Sequence, residues 1–116
     1  MKTSPTSRSL KYLREQGWTA CIVEKWIPPR GTMKFGVRVD AFGFGDILAC
    51  GPNQVALVQS TTTKNMAARR EKIRGIPEAR KWQDAGGTIL LHGWKLSPKD
   101  GVHGARKVWT LIEEVL

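Results

Sequence analysis

One acid stands inside an apolar run, Phe44-Gly45-Asp46-Ile47-Leu48-Ala49-Cys50, and a polar pair two residues apart, Gln59 and Thr61, ends a second run beginning at Val55. Gly51-Pro52-Asn53 between them predicts a tight turn, so the runs read as neighbouring strands of a hairpin. Side chains alternate across a strand, which puts Leu57, Gln59 and Thr61 on one face and Val58, Ser60 and Thr62 on the other. An acid facing polar groups on its hairpin neighbour offers oxygens from rigid elements to a hard divalent cation, with Asp46, Gln59 and Ser60 as the candidate ligands. The competing reading is plain: Asp beside Gly ends a strand, and Gln-x-Thr is ordinary in a sheet. Register decides, because a one-residue slip turns Gln59 and Thr61 away from Asp46.

The elements that hold these residues belong to a short chain. Its 116 residues fit one domain, spanning 1–116, with 41% hydrophobic and 25% charged residues, as in an ordinary globular protein. Nineteen Lys and Arg against ten Asp and Glu leave a net charge of +9. That excess predicts a polyanionic partner, nucleic acid first among them; the alternative is a basic but merely solvated surface. Cys21 and Cys50 lie in apolar runs, without a CxxC, and read as free buried thiols of a reducing, cytoplasmic setting. The start MKTSPTSRSLKYL carries no apolar signal core, and no run approaches membrane-spanning length.

Thr6 or Ser7 is the expected cap of a first helix with Leu10 and Leu13 on its inner face and Gly17 at its end. Trp18 to Trp26 reads as a first, well-buried strand, and Pro28-Pro29 ends it. Arg30 and Lys34 then lie in a basic loop, either an exposed turn or a phosphate-contacting arm. Phe35 to Cys50 is the second strand region, bent at Gly43 and Gly45, where Asp40 reads as an ion-pair partner of Arg38 or, alternatively, as a second site acid. After the third strand, a helix to about Arg74 carries Lys64, Arg69, Arg70, Lys72 and Arg74 against Glu71, a basic face suited to phosphates. Pro77 opens a further short helix closed by Ala85-Gly86-Gly87. Thr88 to Trp94 is a fourth strand, Lys95 to Ala105 a loop, and Lys107 to Ile112 a fifth strand or an extended tail. His92 reads as structural, and no nucleophilic triad shows in the linear sequence. The five tryptophans read mainly as core, and stacking on RNA is the weaker alternative.

The order helix, three strands, helix, strand resembles the core of the PD-(D/E)XK nuclease superfamily, nearest to its small Holliday-junction resolvase-like and phage-encoded members. The likeness rests on SRSLKYLREQGW leading into the first strand, on Asp46 in FGFGDILA, and on VALVQST followed by the basic helix KNMAARREKI. It covers roughly residues 7 to 95. The resemblance implies an α/β (α+β) fold of restriction-endonuclease type, a central mixed sheet flanked by helices. It also implies Mg2+- or Mn2+-dependent hydrolysis of DNA phosphodiesters, on branched or single-strand-containing DNA. Asp46 would be the metal-ligating acid, Gln59 would replace the second acid, and Thr61 would stand at the lysine position. Lys64 would act as a migrated lysine, and Glu15 or another first-helix acid would complete the cation site. Arg30, Lys34, Arg38, Lys64, Arg69, Arg70, Lys72 and Arg74 would hold phosphates. Symmetric cutting of a branched substrate would need two sites and so a homodimer. The alternative is a degenerate nuclease-fold domain that binds DNA without cutting it, or serves as a subunit of a larger complex.

Overall fold

The computed structural model describes residues 3–116. Helix α1 (Pro5–Glu15) begins earlier than the sequence suggests. Its cap is Ser4, whose hydroxyl accepts from the Ser7 amide at 3.1 Å, while the Ser4 amide donates to the Ser7 hydroxyl at 3.0 Å. This reciprocal pair satisfies two end groups, and Pro5 fits the first turn, where no amide hydrogen is needed.

Five strands form one mixed sheet: β1 (Thr19–Ile22), β4 (Ile47–Gly51), β5 (Gln54–Thr62), β6 (Thr88–Pro98) and β7 (Lys107–Val115), side by side in that order. Only β5 and β6 run parallel. A parallel pair needs a crossover, supplied here by α2 (Met66–Arg74) and α3 (Pro77–Asp84). The remaining strands, β2 (Lys25–Ile27) and β3 (Val37–Val39), pair with each other as a separate antiparallel arm. The expected single strand from Trp18 to Trp26 is therefore broken at Val23-Glu24, and its second half leaves the sheet. The expected Lys95–Ala105 loop is shorter, since β6 continues to Pro98 opposite β7.

Both faces of the sheet are covered, so β5 and β6 read as nearly unbroken apolar runs. On one face α1 buries Leu13 against Ile47, Ala49, Ala56, Val58 and Leu90. On the other, α2 and α3 set Ile73 and Ala79 on Phe44, Leu57 and Ile89. The second cover stops short of the β1–β4 half. Cys21, Leu48 and Cys50 alternate onto that open stretch and are exposed, which corrects the reading of both cysteines as buried. Among the described residues no helix is long and apolar enough to cross a membrane.

Candidate metal centre

The hairpin register puts the chemistry together. Ile47 pairs with Val58, and the Asp46 amide donates to the Val58 carbonyl at 2.9 Å, so Asp46 falls beside Gln59. Gln59 Nε2 donates to Asp46 Oδ2 at 2.7 Å, and the Ser60 amide donates to the same oxygen at 2.9 Å. The bend expected at Gly43 and Gly45 is a tight reversal. Ala41 and Gly45 exchange both backbone hydrogen bonds at 2.8 Å, with Phe42 and Gly43 at φ 55° and 85°. Asp40 and Asp46 flank that pair symmetrically, so the turn folds one acid back onto the other. Glu24 arrives by a third route: the Val23 and Glu24 amides donate to the Asp46 carbonyl at 2.9 and 3.3 Å.

Glu24, Asp40 and Asp46 thus present carboxylate oxygens within 4.8 Å of one another. They line a cavity of about 420 Å3 together with Gln59, Thr61, Arg69 and Lys72. Burial pushes the Asp46 carboxyl up to about 8; the Ser60 amide opposes this, while a hydrogen bond with Asp40 and the charges of Asp40 and Glu24 add to it. At neutral pH the cluster therefore holds a proton that a cation would displace. Gln59 is only 2% exposed, and its Oε1 has no hydrogen-bond partner. A buried carbonyl oxygen without a donor costs about 1–3 kcal/mol. The amide meets Asp46 through Nε2; turned over, its oxygen would join the three carboxylates in an all-oxygen set of the kind hard divalent cations take. The residues present fit such an ion.

Several expected site residues stand elsewhere. The Ser60 hydroxyl turns to the α1 face and donates to Ser9 Oγ at 2.7 Å, so Ser60 reaches the centre only through its amide. Lys64 lies in the 3-10 turn Thr63–Asn65 and is not among the groups lining the cavity; the cations that line it are Arg38, Arg69 and Lys72. Arg69 and Lys72, three apart on α2, share a helix face. Arg70 turns to Glu114 (Nε to Oε1, 2.6 Å) and Arg74 to Glu71 at 2.8 Å. Arg30 and Lys34 lie on the exposed link between β2 and β3. Arg38 donates to Glu24 at 3.1 Å, where an Asp40 partner was expected. Glu15 approaches Lys11 at 3.9 Å and lines a different cavity. The sequence signal missed was that Glu24 and Asp40 bracket the β2–β3 arm, so any chain reversal there brings them close.

A second polar cluster lies on the opposite face of the sheet. Ser9 Oγ accepts from Ser60 Oγ and from Trp94 Nε1 at 2.7 and 2.9 Å and lies 2.8 Å from His92 Nδ1. His92 Nε2 lies 2.8 Å from Glu113 Oε2. With both Ser9 lone pairs engaged, its one proton goes to Nδ1, leaving the Nε2–H to Glu113. Burial lowers the His92 pKa, consistent with a neutral ring. Ser9 and His92 are each 0% exposed, so this serine–histidine–glutamate line is a structural brace from α1 through β6 to β7 and no nucleophilic triad.

Compared with known proteins, the chain matches no family model, no curated protein and no solved structure.

Proposed function

We propose that this domain binds nucleic acid, DNA first, and hydrolyses its phosphodiester backbone with a divalent cation, Mg2+ or Mn2+, held by Glu24, Asp40, Asp46 and Gln59. The observation that carries the reading is the convergence of three carboxylates from three chain segments, Glu24, Asp40 and Asp46, with oxygens within 4.8 Å of one another in a cavity that Arg69 and Lys72 also line. The order of elements in the main sheet supports the likeness to the PD-(D/E)XK nucleases: a helix, three strands, a helical crossover, a strand. When bound, the cation supplies Lewis acidity toward a phosphoryl oxygen and lowers the pKa of bound water. Arg69 and Lys72, on the rim, bind the phosphates and offset the charge developing on the phosphorus oxygens. Lys72 or Arg69 thereby takes the part of the lysine that Thr61 replaces. Thr61, 5% exposed, packs the cavity wall.

The same Thr61 favours the second reading, a nuclease fold that binds DNA without cutting it. Labelled linear, single-stranded and four-way-junction DNA, incubated with Mg2+ or Mn2+, separates the two. Metal-dependent cleavage lost in Asp46→Asn is the expected result. Salt-sensitive binding with no cleavage would leave the second reading.

A further inference from the structure

The metal cavity does not end at the acids. It continues into a second hollow of about 230 Å3, and both are lined by Ser4, Thr6, Glu24 and Arg38. The far wall of this hollow is Trp26, on β2, with 57% of its surface exposed. The benzo ring of its indole lies against Gly36, where any side chain would collide with it. A half-exposed aromatic surface in an open groove is poor for solubility and suited to stacking.

The surroundings select what stacks there. Segment 25–39 carries Lys25, Arg30, Lys34 and Arg38 and no acid. Two copies of such an arm repel each other, whereas a polyanion is drawn to it. Trp109 provides the contrast. It is also partly exposed, but the Arg8 guanidinium lies 3.6 Å from its ring centroid and already covers it. Trp26 has no such cover among the cation–ring contacts of the described residues.

We propose that Trp26 is a stacking platform for an unpaired nucleobase, one hollow away from the metal centre. This rests on the nucleic-acid reading above and narrows its substrate to strands with unpaired bases at the reactive phosphate. A duplex keeps its bases stacked on one another and gains nothing from the platform, whereas each base stacked on an aromatic side chain contributes to single-strand binding.

The test is binding without divalent metal, so that cutting plays no part. Fluorescence anisotropy would follow a labelled single strand, a duplex of the same length and an abasic sugar-phosphate strand, against the wild type, Trp26→Ala and Trp26→Phe. Trp26→Ala is expected to weaken single-strand binding about ten-fold, with Trp26→Phe recovering most of it. Duplex affinity stays within about two-fold, and the abasic strand does not distinguish the three proteins, as a backbone-only ligand cannot. Unfolding midpoints in urea verify that the variants are folded. Single-strand binding unaffected by Trp26→Ala, or weakened equally for single strand and duplex, overturns the platform while leaving salt-sensitive DNA binding in place. A wild type that binds none of the three ligands overturns both readings.

Discussion

Replacing Asp46 with Asn probes the charge cluster without changing its shape. Asp46 Oδ2 accepts from the Ser60 amide and from Gln59 Nε2, and an asparagine carbonyl can accept both. Its new NH2 then faces the Asp40 and Glu24 carboxylates as a donor. In the wild type the Asp46 pKa rises from 3.8 to about 8 on folding. Between those values the unfolded chain has lost this proton and the folded chain keeps it, so the group's contribution to stability falls as pH rises. The slope is about 1.4 kcal/mol per pH unit. Above pH 8 both states are ionised and the loss levels off, at a total on the order of 6 kcal/mol. Asp46→Asn lacks this slope. Urea unfolding of both proteins in chelator at pH 5, 7 and 9 should show the variant gaining steadily on the wild type to about pH 8. A stability difference constant with pH would refute the shared-proton picture of the cluster.

Four further outcomes follow from the same geometry. Mn2+ binding near pH 6.5 should release about one proton and near pH 9.5 almost none, read by calorimetry in buffers of different ionisation enthalpy, because Asp46 is already ionised above about 8. Gln59→Glu, which restores a second acid, should tighten Mn2+ binding, whereas Gln59→Leu should weaken it about ten-fold or more in the same calorimeter. Ser9→Ala strands the Ser60 hydroxyl, the Trp94 indole and His92 Nδ1, and should cost on the order of 3 kcal/mol in urea unfolding. Removing Arg69 or Lys72 should lower the slope of log affinity for DNA against log salt by about one each, measured by anisotropy.

The hairpin was legible in the sequence because its signals are local. Gly51-Pro52-Asn53 marks the turn and alternation fixes the faces, while the register, open by one residue in the sequence, is settled in the fold, where it sets Gln59 on Asp46. The basic helix after β5 and the short helix opened by Pro77 were legible for the same reason. The rest of the centre was not. Glu24 and Asp40 lie 22 and 6 residues before Asp46 and meet it only because the chain leaves the sheet at Val23 and reverses at Ala41–Gly45. Periodicity cannot see a strand that changes sheets, so Trp18 to Trp26 read as one buried strand and Trp26 as core. The brace through Ser9, Ser60, His92, Trp94 and Glu113 is drawn from α1 and three strands, and no spacing announces it. Which cation on α2 faces the cavity follows from helix phase against the sheet. That favours Arg69 and Lys72, with Lys64 left in the turn before the helix.

The central claim is that four oxygen-bearing side chains form a cation site. Its most direct test is anomalous scattering from a crystal of the protein soaked in Mn2+, collected beside an Asp46→Asn crystal treated identically. One strong peak among Glu24, Asp40, Asp46 and Gln59, absent from the variant, is the predicted result. A peak elsewhere with this cluster empty, or a peak at the cluster that survives Asp46→Asn, would contradict it.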